Sequence, residues 1–154
     1  MTIQAKLSPD NLARACADAM WGEDQASQGL GMEIVDIKAG QATLAMTIQP
    51  HMVNGHGIAH GGFIFTLADS AFAFACNSRN ERTVAAQGAI TFIRSGKLGD
   101  RLVAEAREVS RSGRSGIYDV RVTAGDVVIA EFRGHSRSIG GALVPSEAAG
   151  HDKT

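Results

Sequence analysis

The stretch HGGFIFTLADSAFAFACN, residues 60–77, decides the fold of this chain. It is apolar on every side of a helical wheel, which predicts a central helix over about 61–78 that is buried all round. Asp69 is the only charged side chain in it. Because such a helix needs other elements to cover it, the segments on both sides of it are expected to form a surrounding layer.

The segments outside this helix predict one further helix and six strands. Ser8-Pro9-Asp10 is typical of a helix N-terminus, since Ser caps free amides, Pro tolerates the first turn and Asp suits the positive end of the dipole. We therefore expect an N-terminal helix over about 8–21. Alternating apolar residues between short turns predict the strands. They are expected at 32–38, 42–48, 83–93, 101–109, 116–124 and 127–139.

The order of these elements predicts an α+β domain. Short hairpin loops join the last four strands, which makes them antiparallel neighbours, and a sheet of that width must curl around the helix that is apolar enough to fill it. A curved antiparallel sheet of about six strands around one long helix, plus an N-terminal helix, is the hotdog fold. Element order alone also permits another α+β roll. We expect a single domain over 1–141 and a flexible tail over 142–154.

Composition excludes several classes of partner. The 154 residues include 15 Lys plus Arg and 16 Asp plus Glu, a net charge of -1 that predicts neither nucleic acid nor a membrane surface as a partner. The longest uncharged apolar run is far shorter than the roughly 20 residues that cross a bilayer. Cys16 and Cys76 lie in apolar helical patterns typical of reduced core thiols, and no signal-peptide pattern precedes them. We expect a cytoplasmic protein.

Asp69 and the start of the central helix are the strongest candidates for chemistry. A carboxylate is costly to bury without a partner, so Asp69 is either a general base or nucleophile, or a group that emerges at a surface or subunit contact. Gly61 and Gly62 let a substrate carbonyl approach the free amides at the positive end of the helix. Gly-Gly before a helix is also ordinary turn chemistry. About 11 to 12 Å separate these amides from Asp69 along the helix, so a dimer that pairs one subunit's amides with the other's Asp69 is expected.

Five segments of the sequence resemble one known family. They are Asn54-Gly55-His56, HGGFIFTLADSAFAFACN at 60–77, Phe92-Ile93-Arg94, GIYDV at 116–120 and FRGHSRSIGG at 132–141. Over residues 25–141 the chain is similar to the phenylacetate-degradation thioesterases (PaaI type) of the hotdog superfamily. Ser95 departs from the Pro that the family often has after the Arg, a change that touches no proposed chemical group.

The resemblance implies a role for four residues. Asp69 would be the catalytic carboxylate, which activates water or attacks the thioester carbonyl, and the Gly61 amide would polarise that carbonyl. Asn54 and His60 fall where the family has polar groups lining the thioester site. The residues themselves also allow His60 to be a loop histidine bonded to backbone. The implied substrate is a phenylacetyl- or hydroxyphenylacetyl-coenzyme A thioester, and the implied assembly is a homotetramer built from two dimers.

Coenzyme A carries phosphates, so its thioesters need basic groups near the mouth of a cleft. Arg94, Arg111 and Arg114 are the candidates for binding them, although Arg is mostly exposed in proteins, which favours a solvated charge at a strand end for each. Gly62 is expected to contact substrate beside Gly61. No metal site or cofactor is predicted, because the loop histidines lack a neighbouring carboxylate or thiol cluster and coenzyme A is part of the substrate itself.

Two other functions remain open at this stage. A hotdog hydratase or dehydratase acting on acyl thioesters would need a His working with an Asp or Glu, and Asp69 has no helical His neighbour. A non-catalytic acyl-coenzyme A-binding domain would keep the cleft without the reaction. The retained Asp69 disfavours that alternative, since a pure binder gains nothing from a buried charge beside a thioester.

Overall fold

The structure is a computed structural model that describes residues 6–145. It confirms the predicted α+β hotdog architecture. In chain order the helices are α1 (Pro9–Trp21), α2 (Gln25–Gly29) and α3 (Gly61–Cys76), with a short 3-10 turn at Pro50–Met52. The strands are β1 (Glu33–Lys38), β2 (Gln41–Thr47), β3 (Thr83–Phe92), β4 (Arg101–Ser112), β5 (Ser115–Ala124) and β6 (Val127–Ser138).

The six strands form one antiparallel sheet in the order β1-β2-β4-β5-β6-β3. The β4–β5 and β5–β6 hairpins turn at Gly113 and Gly125, whose φ values of 59° and 58° favour glycine. β3 follows α3 in the chain but pairs only with β6, so it is an edge strand of the sheet. Its exposed residues run along most of its length.

The core lies between α3 and the concave face of the sheet. Phe72 is fully buried and its ring centroid lies 5.6 Å from Tyr118 and 5.9 Å from Phe132. Gly134 on β6 makes room for this ring, because a β-carbon there would lie 2.8 Å from Phe72. α1 covers another side of α3, where Trp21 packs 6.3 Å from Phe74. The burial of these large rings is the main source of stability in a core of this kind.

One stripe of α3 differs from the expectation of a helix buried all round. The side that faces neither the sheet nor α1 stays at least partly exposed, because one curved sheet and one flanking helix do not close around a cylinder. We call this side the open stripe. It consists of Gly62, Phe65, Thr66, Asp69 and Ala73. On one side the open stripe ends at Phe65 itself, whose ring also contacts Phe132 of β6, and on the other side it ends at Ser70, which contacts α2 through Ser27.

Two asparagines fix the chain after α3. α3 ends at Cys76, and the side chain of Asn77 bonds to the backbone N and O of Thr83, each at 2.9 Å. The Asn80 Oδ1 accepts hydrogen bonds from the amides of Leu143 and Val144, both at 2.9 Å. Part of the segment expected to be a flexible tail is therefore attached to the domain. The rest of that predicted tail, 146–154, lies outside the described residues.

Within residues 6–145, none of the helices has the length and apolar character that crossing a membrane requires.

Candidate functional site

The N-terminus of α3 leaves the Gly61 amide without an acceptor in the described part of the chain. His60 is the N-cap: its Nδ1 accepts a hydrogen bond from the Gly62 amide at 2.9 Å, and its carbonyl accepts one from Phe63 at 3.0 Å. The Gly61 amide has no acceptor among residues 6–145. Because Nδ1 accepts, the neutral His60 ring carries its proton on Nε2. The capping geometry agrees with the structural interpretation of His60, and it removes Gly62 from the set of free amide donors.

The Gly61 amide lies at a cleft of about 380 Å³. The cleft contains three of the predicted site residues, Asn54, Gly61 and Arg94. Its other lining residues are Ile58, Ala59, Ile64, Phe92, Ile93, Ser95 and Gly96. The free donor of a helix N-terminus, an amide side chain and a guanidinium therefore share one mostly apolar cleft, an arrangement suited to a polarised, partly anionic ligand.

Long-range contacts assemble this cleft. The Asn54 Oδ1 accepts hydrogen bonds from the amides of His56 at 2.9 Å and Ile58 at 3.3 Å, while its side-chain nitrogen has no acceptor among residues 6–145. The Ala59 amide donates to the Gly96 carbonyl at 2.8 Å, which brings the segment after β3 beside the loop before α3. Arg94 reaches the cleft through this contact.

Phe92 explains why position 61 is a glycine. A β-carbon at Gly61 would lie 2.8 Å from the Phe92 ring, so the ring closes over the start of α3. Phe92 is 50% exposed in the single chain. Sequence reasoning missed Phe92, Ile93 and Ile58 as cleft residues. Nothing in the local pattern distinguishes them from ordinary strand and loop residues. The position of β3 at the sheet edge brings Phe92 and Ile93 to Gly61, whereas Ile58 lies in the loop directly before α3.

Asp69 lies on the open stripe, two turns along α3 from Gly61, and does not line the cleft. Its carboxylate makes no hydrogen bond or ion pair with any of the described residues. Partial burial raises the pKa of the Asp69 carboxyl, because removal of water disfavours the charged form. At 1.5 Å per residue, about 12 Å separates it from Gly61 along the helix axis. The two strongest candidates therefore do not meet within one chain.

Arg111 and Arg114 lie at the opposite end of α3 from Gly61. Arg111 is on β4 and Arg114 is in the β4–β5 turn, and both line a small cleft beside Cys76. The Arg111 Nε lies 3.8 Å from the Glu108 carboxylate. Within one chain the structure does not bring these two arginines to Arg94.

A charged groove on the outer face of the sheet has a volume similar to that of the Gly61 cleft, about 380 Å³. Some of its charged side chains form ion pairs: Asp119 pairs with Arg133 beside the groove at 2.6 Å, and Arg121 pairs with Glu131 at 2.7 Å. The hydrogen bond from Arg133 lowers the pKa of the Asp119 carboxyl. Because none of the predicted site residues lines it, this groove is a weaker candidate than the Gly61 cleft.

The described residues contain no group of three or more His, Cys, Asp or Glu side chains placed to share a metal ion. The two cysteines are buried and unpaired, and burial raises the pKa of the Cys76 thiol to about 12. Neither thiol is therefore activated as a nucleophile.

Known proteins resemble this chain in sequence. Residues 56–131 match the thioesterase superfamily. The chain is 41% identical to the acyl-coenzyme A thioesterase PaaI of Escherichia coli, over 82% of this chain and 91% of that protein. It is 35% identical to a putative esterase of Archaeoglobus fulgidus over 68% of both.

Solved structures share the fold. The E. coli PaaI protein from the phenylacetic acid degradation operon superimposes with a TM-score of 0.86 at 39% identity, covering 88% of this chain and 99% of that one. A Streptococcus mutans protein solved with acetyl CoA superimposes with a TM-score of 0.69 at 28% identity, covering 72% of this chain and 90% of that one.

Proposed function

We propose, since this chain belongs to the thioesterase superfamily and is a thioester hydrolase of the PaaI type, that it hydrolyses phenylacetyl- or hydroxyphenylacetyl-coenzyme A. The products are the free acid and coenzyme A. The E. coli relative is named an acyl-coenzyme A thioesterase, and its structure is described as a protein of phenylacetic acid degradation, which supports the choice of acyl group.

The observation that carries this proposal is the unsatisfied Gly61 amide in a cleft that Asn54 and Arg94 also line. An amide at a helix N-terminus that no protein group uses is ready to donate to a ligand oxygen. In thioester hydrolysis the carbonyl oxygen gains negative charge in the transition state, so this donor would stabilise the transition state more than the ground state.

A two-fold dimer would complete the site, and two surfaces of the chain favour one. The open stripe leaves part of the most apolar helix uncovered, and Phe65 and Ala73 lie on it. β3 presents an unpaired strand edge beside that stripe. An exposed edge of this length is a template for pairing with another strand, and a second copy of the chain would cover both features.

One contact supports a position for the proposed two-fold axis. A β-carbon at Gly88, near the middle of β3, would lie 3.3 Å from the Phe65 ring. Phe65 is midway between Gly61 and Asp69 on α3. If the two β3 edges pair antiparallel about Gly88, the two α3 helices therefore also cross near Phe65. Each Gly61 then faces the partner subunit's Asp69.

The proposed reaction uses groups from both subunits. The Gly61 amide donates to the thioester oxygen while Asp69 of the partner subunit either takes a proton from the attacking water or attacks the carbonyl carbon itself. The carbon–sulfur bond breaks, and the coenzyme A sulfur leaves as a thiolate that takes up a proton. In the second route water then hydrolyses the acyl-aspartate anhydride. The reaction needs no cofactor.

Arginines are the proposed partners of the coenzyme A phosphates. Arg94 lines the cleft of the same subunit. The two-fold would also turn the C-terminal end of the partner's α3, where Arg111 and Arg114 lie, toward this cleft. We further propose that two such dimers form a tetramer.

Release of free thiol from phenylacetyl-coenzyme A, followed with a thiol reagent, tests the proposed function. The two protein thiols are buried, so the background reaction should be low. Stoichiometric thiol and phenylacetate support hydrolysis. Conversion of an enoyl- or 3-hydroxyacyl-coenzyme A without thiol release would indicate a hydratase or dehydratase, and saturable binding without any conversion would indicate a binding domain. A panel of acyl groups then identifies the preferred substrate.

A further inference from the structure

A second cavity, of about 410 Å³, lies where the C-terminal ends of α1 and α3 meet the start of β3. We call it the α1 cavity. Half of its lining is apolar, and none of the predicted site residues lines it. The apolar residues are Ala19, Met20, Val84, Ile139 and Leu143, and the polar ones are Glu23, Asp24, Asn77, Arg82 and Thr83. Its volume falls within the range of about 300 to 1,000 Å³ typical of ligand pockets.

The proposed dimer would join the α1 cavity to the Gly61 cleft of the other subunit. Val84 lines the α1 cavity at the start of β3, and Phe92 lines the cleft at the end of the same strand. Antiparallel pairing of two β3 edges about Gly88 brings Val84 of each subunit beside Phe92 of the other. Asn77, which lines the α1 cavity, lies one helical turn beyond Ala73 of the open stripe.

We propose that the α1 cavity binds the acyl group of the thioester whose carbonyl is polarised by Gly61 of the partner subunit. This inference rests on the proposed function and names the pocket that selects its substrate. One subunit would then supply both Asp69 and the acyl pocket, while the other supplies the Gly61 amide and Arg94.

The chemistry of the cavity fits an acyl group better than coenzyme A. Ile139 is 61% exposed and Val84 is 46% exposed, so apolar surface is available that residues 6–145 leave uncovered. The acidic Glu23 and Asp24 outnumber the one cation of the lining, Arg82, so its net negative charge would repel the phosphates of coenzyme A. An uncharged aryl-acetyl group would gain from burying the apolar lining without meeting that repulsion.

The wall of the cavity is connected to the helix that carries Asp69. The Asp24 carboxylate accepts hydrogen bonds from the Ser27 amide at 2.9 Å and the Ser27 hydroxyl at 2.6 Å. Since the Ser27 proton is used there, the Ser70 hydroxyl donates to Ser27 at 2.8 Å. This chain of bonds attaches α2 to α3 at the residue after Asp69, so the pocket wall and the carboxylate have a fixed relative position.

The variant Ala19→Trp tests the assignment, because Ala19 is exposed in the single chain and lines the cavity. An indole there should occupy space meant for the acyl group. For the acyl thioester that the parent hydrolyses fastest, kcat/KM should fall at least about tenfold, the usual size of a pocket-shape effect on specificity. The inhibition constant of free coenzyme A, which has no acyl group, should change less than about twofold. Asp18→Trp, one residue away, exposed and outside the cavity, is the matched control and should leave both constants unchanged.

Three results would overturn the inference. Equal weakening of acyl thioester and free coenzyme A by Ala19→Trp would assign the cavity to the coenzyme A moiety, and no weakening of either would leave it outside the site. Both of these results would leave the proposed function intact, since the parent hydrolyses thioesters in each case. A parent that releases thiol from no acyl thioester would instead reject the proposed function, and the acyl pocket with it.

Discussion

At the scale of single residues, Asp69 and Gly61 divide the proposed chemistry between a proton acceptor and a hydrogen-bond donor. Asp69 has neither an ion pair nor a hydrogen bond among the described residues, and burial raises its pKa. A carboxylate with a raised pKa is a stronger base than an ordinary aspartate, which suits it to take a proton from water. The free donor at Gly61 is suited to the charge that develops on the carbonyl oxygen.

Replacing Asp69 by Asn should lower turnover strongly. The amide has nearly the same shape but cannot accept a proton or act as a nucleophile, so we expect kcat to fall by about 10² to 10⁴-fold while the dissociation constant for substrate changes little. Steady-state kinetics and a binding titration measure the two effects. Asp36→Asn, at an exposed aspartate on β1, is the control. Turnover of Asp69→Asn close to that of the parent would remove Asp69 from the mechanism.

The pH dependence of kcat/KM should report the same carboxyl. Activity requires the charged form, so it should fall as pH decreases through the pKa of Asp69, and burial should place this limb above the ordinary value of about 3.9. Because burial disfavours the charged carboxylate in the folded state, ionised Asp69 lowers the free energy of unfolding. Asp69→Asn should therefore raise the melting temperature at pH 7, and this difference should vanish below the unfolded-state pKa. A limb at or below pH 3.9 would contradict the assignment.

At the scale of elements, the N-terminus of α3 combines a structural cap with a free donor. His60 satisfies Gly62, and the Gly61 amide remains available. The backbone of His60, with φ -65° and ψ 131°, is also the conformation favoured before a proline. Position 61 is the first residue of the helix, where proline is tolerated. The donor can therefore be removed without breaking the helix.

Gly61→Pro and Gly61→Ala together isolate the contribution of this amide. Both variants add a β-carbon against Phe92, but only proline lacks the N–H. We expect kcat of Gly61→Pro to lie about 10² to 10³-fold below that of Gly61→Ala, the effect of losing one oxyanion donor. Circular dichroism checks that both variants fold. Equal kcat values for the two would show that the Gly61 amide does not stabilise the transition state.

His60→Ala should lower stability by removing the cap. The loss should be about 1 kcal/mol in the free energy of unfolding, measured by denaturant titration, and His60→Asn should recover most of it because its side-chain oxygen can cap. If His60 only caps, both variants should retain turnover close to that of the parent. Loss of kcat in the stable His60→Asn variant would instead support the role in the thioester site that the family resemblance implies.

At the scale of the whole molecule, the single chain leaves a helix stripe and a strand edge uncovered on the same side. Both belong to the elements that carry the proposed chemistry, α3 and β3. The contact of Gly88 with Phe65 puts the midpoints of these two elements together, so one two-fold axis would cover both at once. Formation of the dimer would then also complete the proposed active site.

Complementation between two inactive variants tests this shared site. Co-expression of Asp69→Asn with Gly61→Pro in equal amounts should give, by random pairing, about a quarter of the parent activity, because each mixed dimer has one intact site and one doubly defective site. Each variant alone should remain at its low level. Mass spectrometry of the purified mixture confirms that mixed dimers are present. No recovery in their presence would show that Gly61 and Asp69 do not act across a subunit boundary.

The sequence by itself determined the features that depend on neighbouring residues. Periodicity, capping residues and turn glycines are local signals, and they predicted α1, α3, the six strands and the antiparallel hairpins. The isolated charge of Asp69 and the glycines at 61 and 62 identified the candidate chemistry for the same reason. The bonding of the Gly62 amide to His60 was not predicted, because it depends on the rotamer of one side chain.

Only the tertiary structure decided which of these features meet. Placement of β3 at the sheet edge brings Phe92 and Arg94 to Gly61, leaves Arg111 at the far end of α3, and exposes the stripe that carries Asp69. It also forms the α1 cavity from elements far apart in the chain. Strand order is set by how much surface the whole chain buries, a sum over distant contacts that no local pattern encodes.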